Sequence, residues 1–199
     1  MNFKYLLILL ISCSSFAQKA EFPTAEVDAI VNRIQLPVFP SYQIDIQELG
    51  AKGDSVTNAK LAFDKAMALC KKNKGGTIIV PKGIYKLNGP IHFVSNVNLR
   101  LEKGAKIKFS DNPKDYLPMV LTSWEGTMLY NYSPLIYAYE CTNIAITGEG
   151  TIDGEGGKIW KSFKAKETEG KNRSREMNHN AVALKDRKFG EGFFLRPQM

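Results

Sequence analysis

The chain has 199 residues, of which 44% are hydrophobic and 24% charged; this balance supports a sizeable core and excludes a disordered chain. Lys and Arg number 27 against 20 Asp and Glu, a formal net charge of +7, which permits attraction to an acidic polymer without naming one. No apolar run approaches the roughly 20 residues of a membrane-crossing helix, so no transmembrane span is expected in the mature chain.

Lys4 precedes the apolar run 5–11, and Ser12, Cys13, Ser14 and Ser15 then lead into Ala17. A charged start, a short apolar stretch and a small-residue cleavage site predict a signal peptide over residues 1–17, and so export to the periplasm or the extracellular space. Leu10-Ile11-Ser12-Cys13 also resembles a bacterial lipobox, so a lipoprotein anchored through Cys13 is the alternative. In an exported chain Cys70 and Cys141 can pair as a disulfide, against which stands the ordinary buried free thiol. Residues 18–43 carry Pro23, Pro37 and Pro40 among scattered apolar positions and read as a surface leader without chemistry of its own.

From Thr57 to Asn73, Ala59, Ala62, Phe63, Ala66, Met67 and Cys70 recur at helical spacing, with Lys71, Lys72 and Lys74 before Gly75-Gly76. This predicts an amphipathic helix with cations at its C-terminal end and a glycine stop. Short strands follow at 78–80, 84–87, 91–94, 97–101, 107–109, 135–139, 144–147 and 151–152, separated by Gly, Pro, Asn and Asp turns. The stretch from Asn96 and the stretch from Asn143 look alike at an offset of 46 to 47 residues, read as two turns of a solenoid with about 23 residues each. A sandwich or barrel would also use short strands. The recurring turn glycines and the preceding helix favour an all-β fold, a parallel β-helix whose first coil is lidded by that helix.

The segment 45–54, the helix, and Gly75-Gly76-Thr77-Ile78-Ile79-Val80-Pro81 together resemble the N-terminal cap and first coil of pectate-lyase-like right-handed β-helix proteins. Asn143-Ile144-Ala145-Ile146-Thr147-Gly148, Gly150-Thr151-Ile152-Asp153-Gly154, Trp160 and Phe194-Leu195-Arg196-Pro197 resemble glycoside hydrolase family 28, the polygalacturonases. The resemblance runs from about Asp45 to Met199 and implies inverting hydrolysis of galacturonan- or rhamnogalacturonan-type pectic polymers. It implies no metal and no cofactor. In the family the acids lie in an Asn-Thr-Asp segment and an Asp-Asp pair, supported by Gly-His-Gly and Arg-Ile-Lys segments. None of the four occurs in residues 1–199. The chain is therefore expected to be a truncated N-terminal portion, residues 44–199 forming an incomplete β-helix domain with no catalytic residue and no hydrolysis of its own.

Three residues are candidates for substrate binding. Trp124 and Glu125 lie in the long interval 110–133, longer than most structureless loops of compact domains; an exposed indole offers an apolar face to a sugar ring, and Glu125 can accept hydroxyl protons. His179, in a polar stretch, can reach a sugar hydroxyl. Asp153 beside Gly154 reads as turn chemistry, Asp45 and Asp54 as backbone acceptors, and His92 as a packed or edge residue. Residues 158–188 hold ten Lys or Arg and four Asp or Glu, read as one polar loop able to steer a polyanion. The expected partner is an acidic plant-type polysaccharide or oligosaccharide rather than nucleic acid, for which no motif is present. A non-catalytic carbohydrate-binding β-helix module, and a polysaccharide lyase on the same fold, are the competing readings.

Overall fold

A computed structural model describes residues 24–157 and 159–197; the signal-peptide and Cys13 expectations fall outside them. Residues 24–36 belong to one compact unit. It contains helix α1 (Thr24–Val31), which buries none of its side chains, so part of the expected leader is helical. Residues 37–197 belong to the other unit, which carries everything below.

Its frame is a parallel coil. Strands β1 (Gln43–Asp45) and β2 (Asp54–Asn58) precede helix α2 (Lys60–Lys72). After it come β3 (Gly76–Val80), β4 (Gly83–Leu87), β5 (Ile91–His92), β6 (Val97–Leu101) and β7 (Ala105–Phe109). Beyond an excursion described below, the coil resumes with β10 (Ile136–Tyr137), β11 (Ala145–Gly148) and β12 (Thr151–Asp153). Three parallel sheets result, ordered β1-β3-β6-β11, β12-β7-β4-β2 and β10-β5.

Stacking follows from register. Ile44 pairs with Ile78, Ile78 with Leu99 and Leu99 with Ile146; Tyr85 pairs with Ile107, and Ile107 with Ile152. Apolar residues thus form columns through the coil, while the alternation in β6 and β7 turns Asn98, Arg100, Lys106 and Lys108 outward. Gly76 opens β3 at φ 148°, where a Cβ would lie 2.5 Å from the Tyr42 carbonyl oxygen, so the close approach of β1 requires glycine.

The repeat length is corrected. Gly76 pairs with Val97, 21 residues on, and Gly83 with Ala105, 22 residues on. Asn98 pairs directly with Ala145, 47 residues on. The offset read as two coils is therefore one coil carrying an excursion. The helix also starts later than its apolar spacing suggested: residues 54–58 form β2, with Asp54 Oδ1 accepting from the Val56 and Thr57 amides. The Asn58 side chain accepts from the Lys60 amide at 3.0 Å and starts the helix. Ala62, Phe63, Ala66, Met67 and Cys70 of α2 join Ile46, Ile78 and Leu87 in the coil's core, the face that the spacing of 57–73 marked as apolar.

Candidate functional site

The excursion between β7 and β10 is an arm. Strands β8 (Val120–Trp124) and β9 (Thr127–Asn131) pair antiparallel, with Trp124 opposite Thr127. Glu125 and Gly126 form the two-residue loop with φ 44° and 85°, the doubly left-handed turn that matches strand twist. Residues opposite one another share a face, so Thr122, Trp124, Leu129 and Asn131 lie on one side of the arm and Leu121, Ser123 and Met128 on the other.

The first side is packed. Trp124 is 1% exposed and clusters with Leu129, Phe189 and Leu195, with Met177 and Phe193 against them. This corrects the exposed indole expected from sequence: the ring anchors the arm, and neither of its faces is open to a sugar. The polar run from residue 159 to 188 and the segment after it cover it. That run is helical rather than a loop, with α3 (Ile159–Lys164) and α4 (Thr168–His179), so the all-β expectation fails beyond β12. Asn131 fastens the cover, its Nδ2 donating to the Leu195 carbonyl at 2.9 Å and its Oδ1 accepting from the Gly190 amide at 2.8 Å. The Tyr130 amide donates to the Arg187 carbonyl, and the Phe189 amide to the Tyr130 carbonyl, both at 2.8 Å.

Glu125 therefore stands at a fixed tip between two cations of α4. Its Oε2 lies 3.7 Å from Lys171 Nζ and 3.8 Å from Arg175 Nη2. Lys171 also reaches Glu167 at 3.4 Å and sits 5.8 Å from the centre of the Trp124 ring. The Glu125 side chain is 41% exposed, so these pairs are screened and each contributes at most about 1 kcal/mol. What they supply is an addressable carboxylate with guanidinium and ammonium donors at its side. His179 ends α4 and is exposed. It lies eight residues beyond Lys171, about 12 Å along a helix, and is not gathered with Trp124 and Glu125.

Asp153 and Asp45 bond to groups close by. Asp153 Oδ2 lies 2.7 Å from Lys106 Nζ, and Oδ1 accepts from the Glu155 amide; the Lys106 hydrogen bond, then the Glu155 amide, hold its carboxyl below the usual range. Asp45 accepts from the Gln47 amide at 2.7 Å. His92 Nε2 lies 2.9 Å from Ser133 Oγ; packing and the Lys60 ammonium depress its pKa, opposed by Asp64. Among the described residues no group of three or more His, Cys, Asp or Glu is placed to hold a metal ion.

Residues 43–108 match the family model "Rhamnogalacturonase A/epimerase, pectate lyase-like". Over 126 residues the chain is 34% identical to the exo-poly-alpha-D-galacturonosidase of Dickeya chrysanthemi, covering 59% of this chain and 20% of that one. The crystal structure of a hyperthermoactive exopolygalacturonase from Thermotoga maritima superposes with a TM-score of 0.82 at 36% identity, over 87% of this chain and 41% of that one. The Yersinia enterocolitica family 28 exopolygalacturonase follows at 0.51 and 30%, over 58% and 21%.

The chain is similar to polygalacturonases over part of their length. It spans a fifth of the Dickeya relative and 41% of the Thermotoga one. Within this polygalacturonase-like frame, Lys171 and Arg175 were legible only as cations of a polar run; their placement beside Glu125 depends on α4. Tyr137 and Tyr139 were passed over as strand residues. The alternation Ile136-Tyr137-Ala138-Tyr139 already puts both on one side, and that signal was available.

Proposed function

We propose that the chain is part of an exported glycoside hydrolase that cleaves galacturonan- or rhamnogalacturonan-type pectic polysaccharide with inversion. The observation that carries this reading is the superposition on the Thermotoga exopolygalacturonase at 36% identity over 87% of the chain, a share larger than the coils alone supply. Inversion needs one carboxylic acid to protonate the leaving oxygen and a carboxylate to activate water from the opposite face, roughly 6.5 to 9.5 Å apart. The four family segments that supply this chemistry do not occur in residues 1–199. In this reading the chain's own residues hold the polymer rather than cut it.

Each has a role that its surroundings support. Lys171 and Arg175 attract uronate carboxylates, and Glu125 between them accepts a sugar hydroxyl. Trp124 is a positioning residue that fixes the tip, and His179 offers a hydroxyl contact farther along α4. Helix α2 lids the first coil, its apolar face packed on Ile46 and Ile78.

Two measurements on the purified 199-residue chain test the reading together. In a native gel cast with polygalacturonate the chain is expected to be retarded relative to a gel without polymer, and in solution it is expected to release no reducing sugar from that polymer. Absence of retardation would overturn the pectic assignment. Released reducing ends would overturn the division of labour, and an unsaturated product would convert the reading to a lyase.

A further inference from the structure

The second side of the arm, facing away from the Trp124 cluster, forms the wall of a shallow groove of about 340 Å³ whose floor is Tyr137 and Tyr139. This volume falls at the lower end of the roughly 300 to 1,000 Å³ usual for small-molecule sites. The two tyrosine rings are within 4° of parallel with centroids 6.2 Å apart. Tyr139 is 50% exposed. Tyr137 is fixed on two sides: its hydroxyl donates to the Leu121 carbonyl at 2.8 Å, which ties floor to wall, and the His92 ring leans on it at 5.1 Å.

We propose that this groove is a pyranose subsite in which a sugar ring lies face-on to Tyr139, between the arm and the floor. The inference rests on the polysaccharide reading above and names a site within it. A pyranose presents a face of axial C–H bonds, and the electron-rich face of an aromatic ring attracts such polarised hydrogens while burying apolar area. The platform is pre-organised by Tyr137, so little ordering entropy is lost on binding. Ser123 on the wall supplies a hydroxyl partner for the sugar's rim, and Leu121 and Met128 close its side. None of the residues lining the groove is charged, and the carboxylate next to Tyr139 is Glu140, whose charge raises the Tyr139 pKa. The phenol therefore stays a neutral donor at pH 7. The groove reads ring shape and hydroxyl pattern rather than charge, unlike the cationic tip at Glu125.

The test measures dissociation constants by ligand-observed NMR for trigalacturonate and for a neutral galactose trisaccharide, using the full chain, Tyr139→Ala and Tyr139→Phe. Tyr139→Ala is expected to weaken both ligands about three- to tenfold, and Tyr139→Phe, which keeps the ring, to restore most of the binding. The neutral trisaccharide is expected to bind with little dependence on salt. Unchanged binding in Tyr139→Ala, or no binding of the neutral sugar to the wild-type chain, overturns the subsite. If the wild-type chain takes the neutral sugar, loses it on Tyr139→Ala and shows no retardation by polygalacturonate, the subsite stands and the pectic assignment falls.

Discussion

The ammonium of Lys171 lies 5.8 Å from the centre of the Trp124 indole, so a helix of the basic segment and the arm of the coil share one buried ring. The ring holds the tip that carries Glu125. Replacing Trp124 by alanine removes the largest fully buried side chain among the described residues and is expected to cost about 3 to 5 kcal/mol. Denaturant unfolding checks this. A variant as stable as wild type would mean that the ring is not the anchor that its surroundings make it.

At the tip the ion pairs are partly solvated, and Arg175 is itself 65% exposed. Removing either cation, Lys171→Ala or Arg175→Ala, is expected to weaken retention by polygalacturonate about two- to fivefold, the equivalent of ~0.4 to 1 kcal/mol. Glu125→Gln removes the competing carboxylate and is expected to strengthen it. Because exposed charges are screened within about 10 Å at 0.1 M salt, all three differences are expected to shrink as salt rises. Salt-independent differences would place the polymer elsewhere.

The coil was legible in the sequence because each strand carries its own instructions. Val97-Asn98-Leu99-Arg100-Leu101 alternates in hydropathy and does so in the structure. The arm and the segment after it were not legible, for different reasons. Its turn uses Glu125-Gly126, where the first residue takes a left-handed φ of 44° that asparagine or glycine usually signals. Helix α4 buries only Gly170 and Ser174, so it shows no apolar stripe and its helicity rests on tertiary contacts that spacing does not record. The miscounted coil has the same origin: pairing of Asn98 with Ala145 is long-range and invisible until the arm between them is seen to leave the sheet. For the site, Glu125 was found from its segment, but the burial of Trp124 depends on Phe189 and Leu195, 65 and 71 residues away in sequence.

Asp54 gives the clearest pH dependence. Its carboxylate accepts from the Thr57 hydroxyl at 2.7 Å and from the Thr57 and Val56 amides at 2.8 and 2.9 Å, and these bonds, the Thr57 hydroxyl first, hold its pKa at about 2. An unfolded aspartate titrates near 3.9. The folded group binds its proton less readily, so the stabilisation is fully present above about pH 4 and is lost as pH falls toward about 2. Asp54→Asn is expected to flatten the acid limb of thermal stability in that interval. A carboxyl resonance of Asp54 titrating at the unfolded value would contradict it.

The two described thiols are expected to differ in reactivity. Cys70 is fully buried in α2, and burial alone pushes its pKa up to about 11, which leaves almost no thiolate at neutral pH. Cys141 is partly exposed, its Sγ 3.3 Å from the Phe93 and Tyr139 carbonyl oxygens. An alkylating reagent at pH 8 is expected to label Cys141 in the native chain and Cys70 only after unfolding. Equal labelling rates would place α2 off the core, and no labelling of either Cys70 or Cys141 even after unfolding would revive the disulfide between them.

The outermost strands set the last expectation. Among the described residues each of β10, β11 and β12 has a neighbour on one side only, against β5, β6 and β7, so three rows of backbone donors and acceptors face the same end of the coil. Side chains there are open as well: Ile146 is 45% and Ile152 39% exposed, although they continue the columns of Leu99 and Ile107 that are buried within. Edges of this kind invite pairing with another strand. The purified chain is therefore expected to self-associate with rising concentration in sedimentation velocity. Ile146→Lys, which places a charge in the open column, is expected to shift it toward monomer because pairing would then bury an ammonium without a partner. A wild-type chain that stays monodisperse and monomeric as concentration rises would show that the exposed columns are satisfied by water and do not drive pairing.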